Sequence, residues 1–304
     1  MNVLKSCLAA LSAALLSTTL AAQTPKTLVR VTTDRGPVDL LLYDNDAPKT
    51  VTNFLNYVRR GAYDSSFFHR LASGFVLQGG GFRYNDATTP RATAIPADPA
   101  VQNEFSPSRS NVRGTIAMAK LGGNPDSATN QWFINLGNNA GNLDGQNGGF
   151  TVFGRVTSAS LPVVDALAAL NGVNAQGCSG VMGVAAGAVG ELPLSKALSS
   201  MTCNAIYADN LVMMRSVREL PRSTVSSADR IFNYLEAAFP QYANPANPAT
   251  LFFDGYTFRH YTGPNSYVGA KDGVMYFLIP SLSPNIIAFG SVADWLKTAT
   301  DAGY

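Results

Sequence analysis

The amino-acid sequence predicts a mainly β protein, a closed antiparallel barrel with helices at its ends, followed by a small α+β unit. Three observations carry this. Residues 28–217 hold many short apolar runs of strand type, separated by turns rich in Gly, Pro, Asn and Asp. Two stretches within that span have a helical period, one opening at Asp46-Ala47-Pro48 and one over 161–170. A short polar linker, 223–227, then separates this part from an aromatic-rich tail.

The elements follow in order. Residues 28–33 (LVRVTT) and 38–43 are strands joined by the turn residues 34–37. Asp46 is the expected N-cap of the first helix, with Pro48 in its first turn; Val51, Phe54, Leu55 and Val58 share one face, and Gly61 ends it. Residues 67–71 (FFHRL) and 75–78 (FVLQ) form a hairpin around Ala72-Ser73-Gly74. Strand alternation puts Phe68 and Arg70 on one face, Phe67, His69 and Leu71 on the other, and Val76 with Gln78. The triple glycine 79–81 removes side-chain bulk where another chain could approach closely. On composition alone this hairpin reads as core, with an arginine extending its head group into solvent.

Residues 83–113 are a long excursion containing four prolines, Pro90, Pro96, Pro99 and Pro107. Strand patterns resume at 114–119 (GTIAMA) and 131–134 (QWFI), where Gln131 and Phe133 share a face opposite Trp132 and Ile134. A Gly- and Asn-rich loop, 138–149, leads to the strand 150–156, and 211–217 is also strand-like. In the tail, 228–239 is an amphipathic helix closed by Pro240; 251–261, 266–269 and 274–279 are strands, with a hairpin turn at Lys271-Asp272-Gly273; Trp295 lies in a terminal helix, 292–300. The many Tyr and Phe of this tail form either a binding face or a core, and the core is the ordinary use in a small domain.

Composition bounds the partners. The chain has 304 residues, 46% hydrophobic and 14% charged, enough for a full core and two domains. With 22 basic and 20 acidic residues and no dense basic run, charge supplies no argument for nucleic acid or an anionic membrane as a partner. Lys5, the apolar run 8–20 and Ala21-Ala22-Gln23 read as a signal peptide, 1–21, cleaved after Ala21; the run is shorter than the roughly 20 residues a spanning helix needs. A periplasmic or secreted location follows, with no membrane span after leader removal. Cys178 and Cys203 then remain as an even pair in an exported chain, read as one disulfide rather than two unrelated buried thiols. The expected domains are 27–220 and 226–304.

FHR at 68–70 with GFVLQGGGF at 74–82, then GTIAMA, NQWFIN at 130–135, LDG at 143–145 and FTVFGRV at 150–156 occur in an order and spacing that resembles the cyclophilin-type peptidyl-prolyl isomerases. The resemblance covers residues 28–218, with an unusual segment over 172–210. It implies an eight-stranded antiparallel barrel capped by two helices, with the active groove on its outer surface. It also implies that Arg70 is the catalytic arginine, aided by Phe75, Gln78 and Phe133. Val76, Met118, Ala119, Lys120, Gln131, Asn142, Leu143 and Phe150 then contact substrate, with Phe75, Val76, Phe133 and Leu143 walling a proline pocket and Ala119 and Lys120 acting through main chain.

Asn142, Phe150 and Val76 stand where the best-known members carry tryptophan, histidine and methionine. Loss of that tryptophan implies poor cyclosporin binding. The reaction needs no metal, cofactor or proton transfer, so His69 reads as structural. Two functions are consistent with these residues: an exported isomerase acting as a monomer on X-Pro bonds of folding proteins, and a proline-binding or scaffolding module with slow turnover.

Overall fold

The structure, a computed structural model, describes residues 27–198, 202–221, 225–239, 250–281, 283–302 and 304. The expected leader, Pro240 and part of the linker 223–227 lie outside them. Residues Thr27–Pro221 form one compact unit, and the residues following Pro221 belong to a second.

Among its described residues the first unit has thirteen strands: β1 Leu28–Thr33, β2 Gly36–Leu42, β3 Ser66–Phe67, β4 Arg70–Ala72, β5 Val76–Gly79, β6 Phe82–Tyr84, β7 Ala92–Ala94, β8 Thr115–Met118, β9 Trp132–Asn135, β10 Val152–Val156, β11 Gly172–Val173, β12 Leu192–Pro193 and β13 Met213–Leu220. Eleven join in one antiparallel sheet, in the order β4-β5-β9-β8-β10-β2-β1-β13-β3-β6-β7. The sheet closes because β3 and β4 are two halves of one stretch. Phe67 pairs with Met213 of β13, while Arg70 pairs with Gln78 of β5. Counting β3 and β4 as one, the circuit has eight strands, and β6 with β7 forms a hairpin attached outside it.

Closure explains a departure from simple alternation. Between β3 and β4 the Phe68 N–H donates to Val212 and the His69 N–H to Gln78, so the hydrogen-bond partner changes from β13 to β5 within two residues. The pleat is interrupted there. Phe68 and Leu71 enter the barrel core, whereas Phe67 lies in a separate cluster outside it and Arg70 is part-exposed, so Phe68 and Arg70 do not share a face. Elsewhere the period of two holds: Leu77, Trp132 and Ile134 point inward, and Val76 and Phe133 join one cluster outside.

Two helices add to this core. Helix α1, Pro48–Arg59, contributes Val51, Phe54, Leu55 and Val58, and α2, Leu161–Ala168, contributes Leu161, Val164 and Leu167. Burial of each such side chain stabilises by about 1.5–3 kcal/mol. The N-cap of α1 is Ala47, not Asp46, and no side chain caps it at that position. Glu104 from the excursion does this work instead, accepting from the Lys49 N–H at 3.1 Å and the Thr50 N–H at 2.8 Å. A carboxylate there also complements the helix dipole.

The described residues of segment 172–210 form an outer layer. Met182, Val189, Leu192 and Ile206, joined by Leu211, bury themselves against Phe67 and Met213. Cys178 and Cys203 are bonded, with S–S 2.14 Å and Cα–Cα 5.0 Å.

The second unit is a five-stranded antiparallel sheet, β14 Leu251–Phe253, β15 Tyr256–Tyr261, β16 Ser266–Lys271, β17 Val274–Leu278 and β18 Ile287–Ser291, paired in chain order. Helices α3, Ser227–Ala238, and α4, Val292–Asp301, begin at Ser226 and Ser291, whose hydroxyls accept from Asp229 and Asp294 N–H groups at 3.0 Å each. The single strand expected over 251–261 is broken into a hairpin by Asp254 and Gly255, both at positive φ. Arg259 is fully buried, and Asp229 and Glu236 accept from its guanidinium at 2.8 and 2.6 Å. The aromatic residues divide: Phe232 and Trp295 are buried, while Tyr256, Phe258, Tyr267 and Tyr276 line an open apolar pocket of about 190 Å³. No helix among the described residues is long and apolar enough to cross a membrane.

Candidate active site

Cross-strand register assembles the site. Arg70 pairs with Gln78, Gln78 with Phe133, Phe133 with Ala117 and Ala117 with Val152. One row therefore runs across β4, β5, β9, β8 and β10, because residues directly opposite on a sheet point the same way. Its apolar members, with Ala72, Val76 and Leu143, form a cluster outside the barrel core, and Phe75, Ala119 and Phe150 pack against that cluster. Phe150 meets Phe133 edge-on at 5.9 Å. The result is an apolar patch with a guanidinium at one end of the row.

The loop that carries Leu143 is held by polar contacts. Asn139 Nδ2 donates to the Phe75 carbonyl at 2.8 Å, and Asn111 Nδ2 donates to Asp144 Oδ1 at 2.8 Å and to the Phe150 carbonyl at 3.0 Å. Ser110 donates to the other Asp144 oxygen. Burial disfavours the Asp144 carboxylate, but the donors from Ser110 and Asn111 outweigh it and lower its pKa below the usual value. Asn111, Asn139 and Asp144 were not among the residues expected at the site. The Asp of LDG is the one sequence signal that pointed to this network.

Gln78 Nε2 donates to Gln131 Oε1 at 2.8 Å, so the two expected polar contacts form one unit. Gln131 also bonds His69, which lies edge-on to Phe82 at 5.2 Å. Burial, with a smaller contribution from the Arg70 charge, pushes the His69 pKa down to about 4 against the opposing Gln131 bond. The imidazole is thus neutral at physiological pH.

Two expectations change, and Lys120 gains contacts of its own. The Met118 side chain is 1% exposed and points into the barrel core, since its neighbour Ala117 takes the outer face. The Lys120 ammonium is held within this chain: it donates to the carbonyls of Asn147 at 2.8 Å and Gly149 at 2.7 Å and sits 4.7 Å from the Phe150 ring centre. Burial lowers its pKa. The triple glycine makes room for this chain itself, because a Cβ on Gly80 would stand 2.6 Å from the Asn130 carbonyl oxygen and 2.9 Å from Trp132 Cδ1. Ala119 lies beside the cluster with its N–H donated to the Gln131 carbonyl at 2.9 Å, and Asn142 is exposed on the turn before Leu143.

A contact with no expectation behind it completes the site. Glu191 Oε2 forms an ion pair with the Arg70 guanidinium, 2.8 Å from Nε.

An eight-stranded barrel with an arginine, paired glutamines and an apolar patch on its outer wall defines the cyclophilin class. Residues 28–180 match the model of the cyclophilin type peptidyl-prolyl cis-trans isomerase/CLD family. A peptidyl-prolyl cis-trans isomerase of Acinetobacter baylyi is 42% identical over 143 residues, covering 47% of this chain and 72% of the relative. Peptidyl-prolyl cis-trans isomerase B of Escherichia coli is 39% identical over 142 residues, covering 45% and 82%. A crystal structure of a Cryptosporidium parvum cyclophilin type isomerase in the presence of the dipeptide Ala-Pro aligns at TM-score 0.45 and 18% identity, over 64% of this chain and 99% of that one. The chain belongs to the cyclophilin-type peptidyl-prolyl cis-trans isomerase family, and its enzymatic class is isomerase.

Proposed function

We propose that this isomerase acts on X-Pro bonds of exported proteins as they fold, with Arg70 as the group that stabilises the twisted amide. The observation that carries the reading is the register row from Arg70 through Gln78 to Phe133, which sets a fixed cation beside an apolar slot.

The chemistry asks for this combination. Rotation of a peptide amide crosses a barrier of about 18–20 kcal/mol because conjugation is lost. The cis and trans X-Pro forms differ by only about 0.5–1 kcal/mol. As the bond twists, the prolyl nitrogen becomes pyramidal and gains a lone pair. A preorganised guanidinium donor meets that lone pair and so binds the transition state better than either ground state. Phe75, Phe133, Leu143 and Phe150 hold the pyrrolidine ring, Val76 adds a wall, and the Gln78–Gln131 pair anchors a neighbouring carbonyl so that one side of the amide turns against the other. Ala119, Lys120 and Asn142 contact the flanking peptide.

Partners are proline-containing segments, and the protein works as a monomer in the periplasm or outside the cell. The leader-type composition of residues 1–21 supports export, and the Cys178–Cys203 bond suits an oxidising compartment. Catalysed cis–trans exchange of a proline peptide, compared with Arg70→Ala, tests the chemical assignment. Loss of at least about 100-fold in kcat/KM supports it, and wild-type exchange by the variant refutes it. Fractionation of the producing cell tests the location; retention of uncleaved protein in the cytoplasm refutes export.

A further inference from the structure

Segment 172–210 carries none of the motifs that mark the family, yet it lies along the strand that holds Arg70. β11 and β12 pair with each other, and Glu191 directly precedes β12. The Leu71 N–H donates to the Glu191 carbonyl at 2.7 Å. That main-chain bond fixes Glu191 next to the residue after Arg70, and its carboxylate then reaches Arg70 Nε at 2.8 Å.

The frame behind Glu191 is itself secured. The Cys178–Cys203 bond closes the segment, and Val189 and Leu192, on either side of Glu191, are fully buried. The Tyr84 hydroxyl donates to the Ile206 carbonyl at 2.9 Å, and Arg91 Nη1 donates to the same oxygen at 2.5 Å. The carboxylate is therefore offered from an anchored layer.

An arginine on an unbranched stem has large rotamer freedom, and a donor stabilises a transition state only if it is already in place. The ion pair engages Nε, the inner nitrogen, and among the described residues no partner takes the two terminal amino groups of Arg70. They remain available to a substrate.

We propose that Glu191 is a positioning residue for Arg70, with segment 172–210 acting as a strap that holds the guanidinium in its working orientation. This rests on the assignment of Arg70 to the twisted amide. If Glu191 instead restrained the guanidinium from the groove, its removal would raise turnover.

The test measures proline-peptide exchange by full-length Glu191→Ala and Glu191→Gln, each alone and combined with Arg70→Ala, with kcat separated from KM. Glu191→Ala is expected to lower kcat about two- to fivefold with KM nearly unchanged. Glu191→Gln, which keeps an acceptor, recovers part of the loss, and neither change adds to Arg70→Ala. In nuclear magnetic resonance the Arg70 Nε–H signal broadens in Glu191→Ala, while the melting temperature stays within about 2 °C. Unchanged or raised kcat in Glu191→Ala overturns the proposal, as does an equal loss in the Arg70→Ala background. Should Arg70→Ala itself turn over normally, the Arg70 assignment fails, a result separable from failure of the strap.

Discussion

Arg70 and Gln78 stand directly opposite each other on neighbouring antiparallel strands, and Gln78 stands opposite Phe133 on the next. Sheet register therefore sets the spacing of the backbone positions that carry cation, amide and aromatic ring, while the guanidinium itself meets Glu191 from outside the eleven-stranded sheet. A backbone frame built on a ladder moves only if the ladder moves, which suits a reaction whose catalysis is positioning plus electrostatics.

Arg70→Lys separates charge from shape. Lysine keeps the positive charge but loses the planar fork and the Nε position that lies 2.8 Å from Glu191. Turnover of a proline peptide is expected to fall at least about tenfold while peptide affinity, read by titration, changes less than about threefold. Stability should move by less than about 1 kcal/mol, because the ion pair is part-exposed. Full turnover by the lysine variant would mean that a point charge suffices.

Gly80→Ala tests the internal role of the triple glycine. Gly80 has φ +81°, and a Cβ there would meet the Asn130 carbonyl oxygen at 2.6 Å, a backbone atom with little room to yield. Left-handed backbone costs an alanine about 1–2 kcal/mol, and overpacking adds about 1–3 kcal/mol. Chemical denaturation should therefore show a loss of about 2–5 kcal/mol. A loss below about 1 kcal/mol would show that the space is open to a partner after all.

Reduction of the disulfide should loosen the strap before the barrel. Cys178 and Cys203 are 25 residues apart, and closing a loop of that size stabilises by about 3.5 kcal/mol in the chain-entropy model. The melting temperature should drop by roughly 7–14 °C under reductant. Hydrogen exchange should rise first in 172–210, with β5 and β9 protected. Uniform exchange across both would show that the strap and barrel unfold together.

Much of this site was readable without coordinates, and the reason is periodic. The alternation of Phe133 with Trp132 and Ile134 placed one ring outward and two side chains inward, as found. What alternation cannot see is a change of partner: the switch from β13 to β5 at Phe68 and His69 is a tertiary event with no local signature. Glu104 at the start of α1 and Glu191 beside Arg70 were hidden for the same reason, since each arrives from a distant loop. The break at Asp254-Gly255 differs. That dipeptide is a strong hairpin signal, and the aromatic run around it masked the signal.

His69 gives the barrel a defined acid sensitivity. Its folded pKa of about 4 lies below the ordinary value of 6.5, chiefly because burial disfavours the cation. The unfolded chain thus binds a proton that the folded chain refuses, and stability is fully present above about pH 6.5, falls as pH drops, and levels off near pH 4. The depression corresponds to about 3 kcal/mol, at 1.36 kcal/mol per pH unit. His69→Gln keeps a hydrogen-bonding side chain near Gln131 but removes the titration. Denaturation at pH 7 and pH 4.5 should show a smaller loss for the variant than for the native protein, by roughly 2–3 kcal/mol. Parallel losses in the two proteins would place the acid sensitivity on other groups, such as the Asp64 and Asp144 carboxylates, whose folded pKa values lie below the ordinary value and whose stabilisation fades as pH falls below about 5.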